Sequence, residues 1–104
     1  MWVAPSPLGP WTDTEVDINP PAGAGDILGL GDREVRAQCN GVLTITGEEA
    51  GTRHLYTGDL WSSAPDSLKS HDIQYWSPPL EFDDTQEPPS IRPMRFVHNF
   101  TISL

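Results

Sequence analysis

The chain has 104 residues, of which 37% are hydrophobic, with 11 prolines and 9 glycines. This length allows one small domain with a modest core, and the many prolines and glycines exclude long helices in favour of short strands joined by turns. The net charge of −9 excludes nucleic acid and anionic membranes as partners, because both need basic patches.

Three further features of the composition set expectations. The start of the chain lacks the basic and apolar regions of a signal peptide, and no stretch reaches the roughly 20 apolar residues of a membrane span. The single cysteine, Cys39, has no internal disulfide partner, so we expect a small buried hydrophobic side chain rather than a reactive thiol. We expect the four tryptophans to offset the shortage of aliphatic residues, although such rings also stack on sugars or nucleobases.

The first third of the chain predicts little regular structure. Residues 2–4 are expected to end a strand, and the proline-rich connector 5–12 to fix Trp11 in place. Weak alternation over 13–18 predicts a short edge strand. Residues 19–35 are expected to form loops.

A β-hairpin is the clearest predicted element. Residues 42–46 are β-branched with alternating faces, 47–51 form a polar turn with a glycine at each end, and 54–58 carry the chain back. The pattern therefore predicts antiparallel pairing of 42–46 with 54–58.

Chemically interesting side chains bracket this hairpin. Gln38 lies just before it, and Asp59 and Trp61 lie just after it. A polar amide and an acidic–aromatic pair are thus expected to face the same end of a sheet.

The remainder predicts surface segments and short strands. Residues 62–72 are polar and expected at the surface, 73–76 form a strand ended by 77–79, and 80–82 form another short strand. The acidic stretch 83–89 is a predicted turn.

The C-terminal part is less regular until its end. Residues 91–97 are ambiguous, with Pro93 favouring an edge position. Residues 98–104 alternate and predict a closing strand. Five to seven short strands without a helix predict an all-β fold, either a small sandwich or about two four-stranded blades of a propeller.

Most motifs for chemistry are missing from the sequence. The three histidines are far apart, so we predict no metal site, and no glycine-rich phosphate loop or nucleophile elbow occurs; no cofactor is expected.

Most carboxylates lie in acidic turns, where solvation is the simpler interpretation. Asp59 is the exception because it lies beside Trp61, although capping a turn would explain it equally well. Asn99-Phe100-Thr101 matches a glycosylation sequon, but it falls inside the predicted closing strand.

Several weak motifs occur in a particular order along the chain. They are Pro-Leu-Gly-Pro-Trp-Thr at 7–12, Ala-Gln at 37–38, Tyr-Thr-Gly-Asp-Leu-Trp at 56–61 and Tyr-Trp-Ser-Pro-Pro-Leu at 75–80. In this order they resemble the C-terminal portion of glycoside hydrolase family 43, and most of all its fungal exo-β-1,3-galactanase relatives. The resemblance covers residues 4–104. Its departures from the family pattern are Ala37, Cys39, Asn40, Leu60, Trp76 and Ser77.

The resemblance implies a five-bladed β-propeller and inverting glycoside hydrolysis by an acid and a base on opposite faces of the sugar. Residues 1–104 would be about the last two blades of that domain. The general acid glutamate would precede residue 1, so the chain alone is expected to be inactive. Gln38 would lie at the catalytic centre, with Asp59 and Trp61 binding a β-galactan or related glycan.

Two further expectations follow from this interpretation. The complete family enzyme would be secreted, and the isolated chain would self-associate through an uncovered blade face. The alternative that the residues leave open is a stand-alone carbohydrate- or protein-binding β module without catalysis.

Overall fold

The computed structural model describes residues 1–19 and 34–104; the loop expected over 19–35 lies mostly outside these ranges. Over the described residues the chain is all-β, without an α-helix, which confirms the all-β part of the prediction; the described sheets do not form a closed propeller. The elements are β1 (Trp2–Val3), β2 (Thr12–Asp13), β3 (Gln38–Gly47), β4 (Gly51–Leu60), a 3₁₀ turn (Lys69–His71), β5 (Ile73–Pro79), β6 (Phe82–Asp83) and β7 (Ser90–Ile91).

These strands form three antiparallel sheets, ordered β1-β2, β3-β4-β5 and β6-β7. The central sheet is a meander in which consecutive strands are neighbours. In β3 and β4, Val42 lies opposite Tyr56 and Thr44 lies opposite His54, which confirms the predicted hairpin. Gly51 closes its turn with a φ of 67°, a left-handed conformation that favours glycine.

A small core lies on one face of the central sheet. Val35, Ala37 and Tyr75 are buried together, and Tyr56, Leu60, Met94 and Phe96 pack against them. The Tyr56 hydroxyl donates a hydrogen bond to the Ala37 carbonyl at 2.5 Å. The Tyr75 and Phe96 rings stack with their centroids 5.0 Å apart. Two tyrosines thus contribute both apolar area and fixed polar contacts to the core.

The C-terminal segment does not form the predicted strand. Its alternation fits a strand, but a ladder also needs a continuous partner edge. The backbone of residues 99–104 makes one hydrogen bond to the described chain, in which the Glu49 N–H donates to the Leu104 carbonyl at 3.2 Å. The terminus therefore lies against the hairpin turn without extending the sheet.

The expected strand over 13–18 is also wrong beyond its first residue. β2 ends at Asp13, whose Oδ1 accepts the Glu15 N–H at 3.0 Å, and Glu15 has a φ of 59°. This side-chain-to-backbone bond turns the chain and competes with a strand ladder.

β5, in contrast, continues through the prolines that were expected to end it. Pro79 pairs with Leu55, and the order β3-β4-β5 makes β5 an edge strand, where proline is tolerated. At the register shift, the Ser77 hydroxyl accepts the Tyr56 N–H at 2.9 Å. The next strand, expected at 80–82, is displaced to Phe82–Asp83.

The tryptophans and the cysteine are not buried as expected. Trp2, Trp11, Trp61 and Trp76 are all more than half exposed. Cys39 is exposed on β3, because Ala37 and Tyr56 fill the core beside it and no described element covers the edge. The four tryptophans therefore enlarge the apolar surface, while the aromatic part of the core comes from Tyr56, Tyr75 and Phe96.

Gly58 is required by the close approach of β3. A Cβ at this position would lie 2.5 Å from the Gln38 carbonyl oxygen and 3.0 Å from the Ala37 Cβ. We expect Gly58→Ala to destabilise the fold by about 1–3 kcal/mol, because the backbone of β3 would have to move. Urea unfolding measures this change. Gly41→Ala is the matched control, since nothing lies within 4 Å of its Cβ position. Equal stability of the two variants would contradict the packing.

Exposed apolar residues along an edge strand predict self-association. Val42 is 58% exposed on β3, an edge of the central sheet. Analytical ultracentrifugation should show concentration-dependent association that Val42→Lys reduces. Leu8→Lys, at a 96% exposed position off the edge, should change it less. A monomer with a sharp cooperative melt would contradict this prediction.

Candidate functional site

The central sheet brings two of the predicted site residues into direct opposition. Gln38 at the start of β3 is the cross-strand partner of Asp59 near the end of β4. Asp59 is also the partner of Gln74 on β5. Directly opposed residues share a face of the sheet, so all three lie on one surface.

A bulge in β3 adds a second amide to this surface. Cys39 pairs with Gly58 and Gly41 pairs with Thr57, so Asn40 is the extra residue between them. Its Nδ2 donates to the Asp59 Oδ1 and to the Gln74 Oε1, both at 3.1 Å. The bulge thereby aims Asn40 at the residues on the neighbouring strands.

Lys69, on the 3₁₀ turn, supplies the positive charge of the site. Its Nζ lies 2.9 Å from the Asp59 Oδ2, 3.5 Å from the Asp72 Oδ2 and 5.3 Å from the centroid of a Trp61 ring. Trp61 was the third predicted site residue, and this cation–π contact connects it to Asp59.

The loop that carries Trp61 is fixed from behind by Asp72. The side chain of Asp72 is only 3% exposed and accepts the N–H groups of Ser62 at 3.1 Å and Ala64 at 3.0 Å. The segment 62–72 thus lies at the surface, as expected, but it is ordered by a buried carboxylate.

We call Gln38, Asn40, Asp59, Lys69 and Gln74 the polar patch. Two aromatic side chains accompany it. Trp61 is 62% exposed and touches Lys69, and Trp76 is 52% exposed. Because side chains alternate along a strand, Trp76 shares the face of Gln74.

Hydrogen bonding holds the Asp59 carboxylate in its ionised form. Lys69 above all, followed by the amides of Asn40 and Gln74, lowers the pKa of Asp59 to about 2. The Gln74 Nε2 also donates to Asp59 Oδ1. A carboxyl group with this pKa does not donate a proton near neutral pH, which excludes it as a general acid. Its role is to accept hydrogen bonds and to order the amides around it.

Gln38 remains available for a ligand. It is exposed, and its side-chain amide makes no hydrogen bond to residues 1–19 or 34–104. An amide offers two donors and an acceptor, which suits a sugar hydroxyl that both donates and accepts. Beside it, the exposed indole rings offer apolar faces for the C–H groups of a sugar.

Sequence reasoning missed Asn40, Lys69, Gln74 and Trp76 as site residues. Gln74 was detectable, because it lies in a strand that was predicted correctly over 73–76. The position of Asn40 depends on a one-residue bulge, and the position of Lys69 depends on a turn that sequence periodicity does not predict. Their placement follows from tertiary structure.

A separate groove of about 650 Å³ lies between the β1-β2 and β6-β7 sheets. Trp2, Val3, Phe82, Pro89 and Ile91 line it, and none of the predicted site residues does. Its apolar lining offers few hydrogen bonds to a sugar, so the polar patch is the better candidate site.

Over the described ranges, no three histidine, cysteine or carboxylate side chains cluster as metal ligands would. The same part of the chain contains no helix that is both long and apolar enough to cross a membrane. Comparisons with protein-family models, curated proteins and solved structures gave no match. The resemblance to family 43 therefore depends on the motifs alone.

The lowered pKa of Asp59 predicts a pH dependence of stability. Its folded pKa of about 2 lies below the ordinary 3.8, so its contribution is full above pH ~4 and is lost as the pH falls toward 2. A carboxyl ¹³C titration should give a midpoint near 2, and Lys69→Met should raise it because the largest stabilising contact is removed. Asp84→Asn, in the exposed acidic turn, is the control and should leave the Asp59 midpoint unchanged. An Asp59 midpoint near 3.8 in the wild type would contradict the network.

Proposed function

We propose that this chain forms a glycan-binding part of a glycoside hydrolase of the family 43 type, with a β-galactan or related glycan as substrate. In this proposal residues 1–104 belong to a β-propeller, of which they supply about two blades. Gln38 lies at the catalytic centre of the complete enzyme, and Asp59 and Trp61 contribute to substrate binding.

The observation that carries the proposal is the opposition of Gln38 and Asp59. These residues are 21 positions apart in the sequence and are cross-strand partners in the central sheet. Two amides and a lysine complete a hydrogen-bonding surface beside the exposed ring of Trp61. Amide and carboxylate groups that flank aromatic rings match the alternation of hydroxyl and C–H surfaces on a sugar.

The topology of the central sheet gives further support. A propeller blade is a four-stranded antiparallel sheet, and β3-β4-β5 is an antiparallel meander of three consecutive strands. The exposed face of Trp76 and the exposed edge at Val42 are surfaces that neighbouring strands or blades would cover.

Four of the described carboxyl groups are poorly suited to act as the general acid. Asp59, Asp66, Asp72 and Asp83 all have a lowered pKa, each because hydrogen bonds stabilise the charged form. A glycosidase acid needs the opposite, a pKa raised by its surroundings. This agrees with the implication of the resemblance that the acid precedes residue 1.

The ionised, hydrogen-bonded Asp59 also favours a second candidate, a stand-alone binding module without catalysis. A surface in which an ionised Asp59 orders two amides needs no further catalytic group to bind a glycan or a protein. The two candidates differ in whether Gln38 affects turnover when upstream blades are supplied.

Glycan binding is the direct test of the site. Titration of the chain with β-1,3-linked galactooligosaccharides, followed by NMR, should show saturable shifts at the polar patch. Trp61→Ala should weaken binding about tenfold, which corresponds to about 1.4 kcal/mol. Trp11→Ala removes a similarly exposed ring outside the patch and should leave the affinity unchanged. The absence of saturable binding, or equal losses in both variants, would contradict the proposal.

Hydrolysis distinguishes the enzyme from the module. The chain alone should not hydrolyse galactan or aryl galactosides, since loss of general acid catalysis costs about 10²–10⁴ in rate. In an enzyme completed with upstream blades from a family 43 galactanase, Gln38→Ala should lower kcat. Turnover by the chain alone would contradict the missing acid. An unchanged kcat in the completed variant would favour the module.

A further inference from the structure

The sequon Asn99-Phe100-Thr101 has a different setting in the structure from the one its alternation predicted. The chain contains this acceptor motif once. A strand ladder would have fixed its backbone, but residues 99–101 lie outside every strand. Asn99 and Thr101 are both exposed, and neither side chain hydrogen-bonds to the described part of the chain. No strand among the described residues therefore restrains the sequon against modification.

We propose that Asn99 is an N-glycosylation site when the chain passes through a eukaryotic secretory pathway. The donor is an oligosaccharide carried on a polyprenyl pyrophosphate. The Asn99 Nδ2 forms a bond to the anomeric carbon, the bond from that carbon to the pyrophosphate oxygen breaks, and the amide loses one proton. The polyprenyl pyrophosphate leaves with the bonding electron pair, so no oxidant or reductant is required.

Accessibility of the whole motif is what the reaction needs. The transferase must bind the Asn side chain and the Thr hydroxyl together, on a backbone that can leave the fold locally. Among the described residues, one backbone hydrogen bond joins 99–104 to the rest of the chain, from the Glu49 N–H to the Leu104 carbonyl. Asn99 and Thr101 therefore reach the enzyme without disruption of a sheet.

The chain that leads into Asn99 approaches it from the side opposite the polar patch. The Tyr75 hydroxyl accepts the Val97 N–H at 3.3 Å, and its ring stacks on Phe96. Tyr75 and Gln74 are consecutive in β5, so their side chains lie on opposite faces of the sheet. The chain that leads into Asn99 thus packs on the face opposite the polar patch.

The test is secretion of the full chain behind a cleavable signal from a yeast or mammalian host. Intact mass spectrometry should show a glycan that peptide N-glycosidase removes, with conversion of Asn99 to aspartate. Asn99→Gln and Thr101→Ala should each abolish the modification, and Thr101→Ser should retain it in part. Asn40→Gln changes an asparagine outside a sequon and should leave the modification intact.

A secreted chain with only its unmodified mass would overturn the inference, as would a glycan that survives in Asn99→Gln. The glycosylated protein and Asn99→Gln should bind galactooligosaccharides equally, because the chain that leads into Asn99 packs on the face opposite the polar patch. A weaker affinity of the glycosylated form would contradict that placement. The inference is independent of the proposed function, since the occupancy of Asn99 is measured without any ligand at the polar patch.

Discussion

The Asp59 carboxylate accepts hydrogen bonds from three separate elements of the chain. Asn40 comes from β3, Gln74 from β5 and Lys69 from the 3₁₀ turn, while Asp59 itself lies on β4. One ionised group thereby ties together the three strands of the central sheet and the loop that carries Trp61. Because charge-assisted hydrogen bonds are stronger than neutral ones, this arrangement orients the side chains of the surface. The backbone ladders pair the strands, and this carboxylate fixes the side chains at the strand ends on the face opposite the small buried cluster.

The ionised state of Asp59 limits the chemistry that is possible at the site. An Asp59 stabilised as an anion by a lysine and two amides serves as a fixed acceptor, and it cannot alternate between acid and base near neutral pH. Under the proposed function such a preorganised group would serve binding, because its hydrogen-bond donors are oriented before a ligand arrives. Gln38 differs from its partner in this respect. Its amide is exposed and has no hydrogen-bond partner within 1–19 and 34–104, so a ligand or a water can bind to it without displacing a protein contact.

The sequence predicted those parts of the fold that depend on local pattern. The hairpin of β3 and β4 and the proximity of Gln38 to Asp59 follow from alternation on either side of a glycine-bounded turn, and the strand at 73–76 was predicted from its own residues. The closing strand was wrong because alternation alone does not make a strand, and residues 99–104 pair with no strand of the described chain. Asn40 was missed because a bulge shifts the register by one residue, and neither alternation nor turn residues indicate where that happens. The expectation that the tryptophans partly replace aliphatic residues in the core depends on ring area, and area does not indicate which surface covers a ring.

The exposed tryptophans and the hydrogen-bonded carboxylate are two consequences of the same composition. With 37% hydrophobic residues, the chain forms only a small core, and several aromatic rings remain at the surface. An exposed ring offers a fixed surface to a ligand only where neighbouring side chains hold it in one orientation. Trp61 meets that condition, because Lys69 lies over its ring and Asp72 fixes the loop behind it. Trp11 lies in the proline-rich connector without a comparable charged neighbour in the described structure. This difference in support, more than exposure itself, favours Trp61 over Trp11 as a candidate residue of the site.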